Sequence, residues 1–137
     1  MKGRSNTILI AEDDEDEHEI LTTVFTKLSA HYTLVFTTNG EETLSELTRL
    51  AGKKDLPVLI ILDVNMPVKD GLSTLKAIRD ASEYREVPIV MYSNSGLAPH
   101  VNACVDAGCT DYIVKPPLFN DVINSVKRML QHIQREY

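Results

Sequence analysis

The feature that most constrains this chain is a strict alternation of short, unbroken apolar runs with helical patterns. The runs are Ile8-Leu9-Ile10-Ala11, Leu34-Val35-Phe36, Val58-Leu59-Ile60-Ile61-Leu62, Ile89-Val90-Met91-Tyr92 and Tyr112-Ile113-Val114. None alternates cleanly between apolar and polar residues, which is the pattern of parallel strands covered on both faces. Between them, apolar residues recur at helical spacing. The sets are Ile20, Leu21, Val24, Phe25 and Leu28; Leu44, Leu47 and Ala51; Leu72, Leu75 and Ile78; a weaker set of Val101, Cys104 and Val105; and Val122, Ile123, Val126, Met129, Leu130 and Ile133. Helix punctuation agrees: Asn39-Gly40 precedes two glutamates, Asp70-Gly71 precedes the third set, and Gly108 follows the fourth. Pro57 and Pro88 stand just before strands, where a missing amide proton is tolerated.

The order is therefore βαβαβαβαβα, which predicts an α/β fold: a (βα)5 open, doubly wound parallel sheet with helices on both faces. Five strands are too few for an eight-fold barrel. No repeat, low-complexity tract or long linker divides the chain, so residues 1–137 are expected to form a single domain with its core at about 7–135. The last helix is expected to run from about Leu118 to Tyr137, roughly 30 Å.

Composition excludes several function classes. The formal net charge is −6, and the 14 basic residues are scattered among 20 acids, so no positive face for nucleic acid is expected. No apolar run approaches the ~20 residues of a membrane span, and the polar start Met1 to Thr7 does not read as a signal peptide. Cys104 and Cys109 form no CxxC pair and no metal spacing with His, and they read as reduced thiols of a cytoplasmic protein.

In an open α/β sheet the functional site lies beyond the carboxyl ends of the strands. Glu12-Asp13 follow the first run, Asp63 the third, Ser93 the fourth and Lys115 the fifth. Three carboxylates, a hydroxyl and a lysine would thus share one edge. Clustered carboxylates repel one another, and a hard divalent cation relieves that repulsion. Mg²⁺ prefers oxygen ligands and completes its shell with water and phosphate, whereas zinc would want the His or Cys that this cluster lacks. Seven of the eight positions from Glu12 to Glu19 are acidic. Asp14 to Glu17 suit a helix N-terminus, where negative charge is favourable, whereas Glu12 and Asp13 end a buried strand, and Asp13 is read as a ligand. A carboxylate can accept a phosphoryl group as an acyl phosphate, with charge compensation supplied by its surroundings. Asp63 is therefore read as the nucleophile, with Mg²⁺ and Lys115 supplying that compensation. A Lys-Pro bond at this strand end can be cis or trans.

Four segments resemble the response-regulator receiver family. Leu62-Asp63-Val64-Asn65-Met66-Pro67 with Asp70-Gly71 resembles its phosphoacceptor loop, and Ile10-Ala11-Glu12-Asp13-Asp14 its acidic pocket. Pro88-Ile89-Val90-Met91-Tyr92-Ser93 is similar to its fourth strand, and Ala107 to Pro116 to its fifth strand and lysine. The resemblance implies flavodoxin-like strand order 2-1-3-4-5. It implies Asp63 as phosphoacceptor and a Mg²⁺ site of Asp13, Asp63, the Asn65 backbone carbonyl and, through water, Glu12. It implies Lys115 and Ser93 on phosphoryl oxygens, Tyr112 as the aromatic that turns inward on activation, and Asn65 and Ser95 as the positions that tune hydrolysis. The acidic pair is Glu-Asp where the commonest pattern is Asp-Asp, and the hydroxyl residue is Ser where it is often Thr.

The partners so implied are a sensor histidine kinase or histidine phosphotransfer protein and a further downstream protein. Because no output domain is expected after the last helix, signalling would proceed by docking or phosphoryl relay. A homodimer or docking face is expected on the fourth helix, fifth strand and fifth helix, with Phe119 and Met129 either spare apolar surface there or part of the core. The chain would be no enzyme beyond catalysing its own phosphorylation and dephosphorylation. A haloacid-dehalogenase-type phosphatase would need an aspartate where Asn65 stands and a nucleophile after the first strand. A module that had lost phosphorylation would be expected to lack part of the pocket.

Overall fold

The apolar runs become five strands: β1 (Thr7–Ala11), β2 (Thr33–Thr37), β3 (Leu59–Leu62), β4 (Ile89–Ser93) and β5 (Asp111–Val114). The helical patterns become α1 (Glu15–Leu28), α2 (Gly40–Gly52), α3 (Gly71–Asp80), α4 (Ala98–Asp106) and α5 (Phe119–Gln131). The computed structural model describes residues 5–29 and 31–133. All strand pairs are parallel, and the order is β2-β1-β3-β4-β5, the flavodoxin-like arrangement. The chain reverses direction across the sheet between β1 and β3, so the ends of these two strands border the switch point.

The unbroken apolar runs reflect coverage of both faces. Ile8 and Ile10 of β1, Leu59 and Ile61 of β3 and Val90 and Tyr92 of β4 pack with Leu21, Val24 and Phe25 of α1 and Val122, Val126 and Met129 of α5. Their neighbours Leu9, Ala11, Ile60, Leu62, Ile89 and Met91 pack on the other face with Leu47 of α2, Leu75 and Ile78 of α3 and Cys104 of α4. The two-residue period of a strand sends alternate side chains to opposite layers. The edge strand β5 departs from this pattern, since only Ile113 is buried there and Val114 is exposed.

Local chemistry starts the helices that lead away from the site. Asp14, Asn39 and Asp70 each accept a hydrogen bond from a first-turn amide, those of Asp16, Glu42 and Ser73. α4 ends in a turn in which the amides of Cys109 and Gly108 donate to the carbonyls of Cys104 and Val105, with Gly108 at φ +99°.

One expectation needs correction, and one open reading is decided. α5 spans 13 residues and ends at Gln131, so it is about 20 Å long within the described chain. At that end Arg128 and His132 both hydrogen-bond Asp111 at the start of β5. Residues 134–137 lie outside the described residues. Met129 is fully buried and belongs to the core, which leaves only Phe119 of that pair exposed.

The β3–α3 loop is closed by backbone. The Gly71 amide donates to the Val64 carbonyl at 2.9 Å, and the Gly40 amide to the Lys69 carbonyl at 3.0 Å. A Cβ on Gly71 would stand 2.1 Å from the carbonyl oxygen of Asp63 and 2.8 Å from the Cα of Val64. Backbone cannot rotate aside as a side chain can, so Gly71→Ala must push the loop off the sheet. We expect a loss of about 3 kcal/mol, read as a melting temperature lower by about 10 °C. An unchanged melting temperature would show that the loop is free to yield.

Candidate functional site

The residues read from strand ends do meet at one edge. Asp63 follows β3, is 7% exposed, and donates its amide to the Ala11 carbonyl of β1 at 3.1 Å. Its Oδ1 accepts the Asn65 amide at 3.2 Å, and its Oδ2 lies 3.3 Å from the Lys115 ammonium. Lys115 Nζ also donates to Glu12 Oε1 at 2.6 Å and lies 5.7 Å from the centre of the Tyr92 ring. Carboxylate oxygens of Glu12, Asp13 and Asp63 fall within 4.8 Å of one another. Glu12 is buried beside the exposed Asp13.

The electrostatics follow from burial. Burial pushes the Glu12 carboxyl up to about 7, against the hydrogen bond and charge of Lys115. Burial alone would pull the Lys115 ammonium down, but the Glu12 hydrogen bond and the charges of Asp63, Glu12 and Glu17 together hold it above its usual value. One buried ammonium thus pairs with Glu12 and Asp63, and the third carboxylate of the cluster, Asp13, adds further negative charge to the pocket. The donor set is all oxygen, with no imidazole or thiol in the cluster. That chemistry fits a small hard cation better than zinc.

The remaining residues form a second chain of contacts. Ser93 ends β4, fully buried, and its Oγ accepts the Ser95 amide at 3.2 Å. The Tyr112 hydroxyl donates to the Ser95 carbonyl at 2.5 Å, and Ser95 Oγ lies 2.5 Å from His100 Nδ1. Ser95 is therefore tied through its amide, carbonyl and hydroxyl to three side chains, and Tyr112 is half-buried over the β4–α4 loop. The Lys115 amide donates to the Ser93 carbonyl at 2.7 Å, joining the two chains. No cis peptide occurs among the described residues, so Lys115-Pro116 is trans. Sequence reading missed Tyr92 beneath Lys115, His100 on Ser95, and His18, whose Nε2 meets the Glu12 carbonyl at 2.5 Å. No motif marks these residues; they meet the site only through packing.

A doubly wound sheet with an acidic pocket and a lysine at its switch-point edge defines a receiver-type signalling fold. The response regulator receiver domain family matches residues 8–127, and this chain belongs to it. Its members are signalling modules of two-component systems that receive signal from histidine kinases; Mg²⁺ and aspartate phosphorylation are typical of them. Two-component response regulator ARR6 of Arabidopsis thaliana is 39% identical over 72 residues, which are 52% of this chain and 39% of that protein. The chain spans about two-fifths of the length of the first curated relatives it matches. Among solved structures, the phosphorylated cyanobacterial phytochrome response regulator RcpA is similar in fold, with a TM-score of 0.86 at 22% identity over 94% of each chain. The Mn²⁺-bound form of response regulator Rcp1 has a TM-score of 0.76 at 25% identity over 90% of each chain. No helix among the described residues is long and apolar enough to cross a membrane.

Proposed function

We propose that this chain takes a phosphoryl group from the phosphohistidine of a sensor kinase or histidine phosphotransfer protein onto Asp63. One observation carries this reading: a buried carboxylate at the end of β3 stands 3.3 Å from a buried ammonium and shares its pocket with two further carboxylates. An oxygen of Asp63 attacks phosphorus, and the phosphorus–nitrogen bond of the donor breaks. The imidazole nitrogen leaves with the electron pair and takes up a proton. Asp13, Asp63, the Asn65 carbonyl and, through water, Glu12 would hold Mg²⁺. When bound, the ion would offset charge on the entering phosphoryl oxygens. Lys115 offsets a further part of that charge, exchanging its contact with Asp63 for a phosphoryl oxygen. The Ser93 hydroxyl donates to another oxygen while its own oxygen still accepts the Ser95 amide. The test is incubation with acetyl phosphate and Mg²⁺ followed by intact-mass measurement, then transfer from a panel of histidine kinases. A single added phosphoryl group supports the reading, and no addition from any donor defeats it.

The signal would leave by docking a partner or by passing the phosphoryl group on. Tyr112, held to Ser95, is the residue that would turn inward when Ser93 moves, changing the face of α4, β5 and α5, where a second copy or a partner would bind. Exposed Val105, Val114, Leu118 and Phe119 supply apolar surface there. The phosphoryl state is proposed to be short-lived, because small polar residues, Asn65 and Ser95, flank the pocket and leave room to orient water. Asn65→Met should lengthen the dephosphorylation half-life several-fold in a phosphate-release assay, and an unchanged half-life would remove Asn65 from this role.

A further inference from the structure

We propose that His18 of α1 is a positioning residue for the cation pocket, acting through the peptide that joins Glu12 to Asp13; this rests on the cation reading given above. The ring nitrogen Nε2 lies 2.5 Å from the Glu12 carbonyl oxygen. A carbonyl only accepts, so Nε2 carries the proton and donates. The same ring stacks on Phe36 of β2, with centroids 4.3 Å apart and planes 25° apart. Phe36 in turn pairs in register with Ile10 of β1, two residues before Glu12. The imidazole is thus fixed from below by the neighbouring strand and aimed at the end of β1.

That end is where the chain must stop being strand and present two acids. The Glu12 amide is held by the Thr37 carbonyl at 2.8 Å, the last support that β2 offers. Beyond it, the peptide between Glu12 and Asp13 is planar, so gripping its oxygen sets the orientation of the whole unit and the departure direction of Asp13. The Glu12 side chain is already occupied by Lys115 at 2.6 Å and the Asp14 amide at 3.1 Å. Asp13, the next residue along, is exposed to solvent. His18 therefore supplies the direction that Asp13 needs to face Asp63. A group that orients a ligand without touching the ion typically changes metal affinity about 10- to 100-fold when removed.

Two variants separate the hydrogen bond from the stack. His18→Phe keeps a ring on Phe36 and loses the donor; His18→Gln keeps an N–H donor and loses the ring. Metal-stripped protein is titrated with Mg²⁺ by calorimetry and by amide NMR shifts of Glu12, Asp13 and Asn65. Thermal unfolding is followed in parallel without Mg²⁺. His18→Phe should unfold like wild type yet bind Mg²⁺ about tenfold more weakly, and His18→Gln should recover most of that affinity. Wild-type affinity in His18→Phe, or equal losses in both variants matched by lower melting temperatures, would overturn the assignment. Asp13→Asn is the control: if wild type binds no Mg²⁺, or Asp13→Asn binds like wild type, the cation reading itself fails and the proposal falls with it.

Discussion

Asp63→Asn should accept no phosphoryl group from acetyl phosphate or from a kinase, while folding as wild type does. The substitution preserves shape. The amide oxygen can take the place of Oδ1 and accept the Asn65 amide, which lies 3.2 Å away, while the amide nitrogen takes the place of Oδ2, 3.3 Å from Lys115, and gives up that one contact. What is lost is the anionic oxygen that attacks phosphorus, and an amide has no comparable nucleophile. Lys115 keeps its shorter contact to Glu12 at 2.6 Å, so the buried ammonium stays paired. Removing one of three crowded like charges also relieves repulsion. Without Mg²⁺ the variant should therefore unfold no earlier than wild type. Intact mass and thermal unfolding read the two effects separately. Phosphorylation of Asp63→Asn at the wild-type rate would mean that another residue is the acceptor.

Asp13→Asn should weaken Mg²⁺ binding on the order of a hundredfold. A residue that only orients a ligand is worth about 10- to 100-fold, and a charged ligand should fall at or above the top of that range. Asp16→Ala is the comparison. Asp16 lies in the first turn of α1, exposed to solvent, where its charge is screened and acts mainly on the helix dipole. It should change Mg²⁺ affinity less than about threefold. Equal losses in the two variants would show that the acidic stretch from Glu12 to Glu19 attracts cations diffusely, with no site at the strand end.

Most of the architecture was legible because a sheet covered on both faces must be written as unbroken apolar runs. β1, β3 and β4 are buried along their length, and their runs stand out. The geometric rule for α/β sheets then pointed to the strand ends, and the side chains of Glu12, Asp13, Asp63 and Lys115 do lie together there. The end of α5 was less legible. The apolar stripe continues to Ile133, but no residue in the pattern announces the Asp111–Arg128–His132 contact at which the helix stops. The place of Met129 stayed open for a related reason, since an amphipathic stripe does not state its own width; in the fold it is fully buried with the strand residues of that layer.

Residue order alone settled the alternation of strands and helices, their capping, and the chemical types at the carboxyl edge. Those features depend on side-chain periodicity and on neighbours within a few residues. Folding in three dimensions decided which groups touch. Lys115 reaches Glu12 across 103 residues of sequence, and Tyr112 reaches Ser95 across 17. His18 comes to the Glu12 carbonyl only because α1 turns back over β1 and Phe36 of β2 supports its ring. Long-range contacts arise where the twist and stacking of several elements bring surfaces together, and no local pattern encodes that meeting.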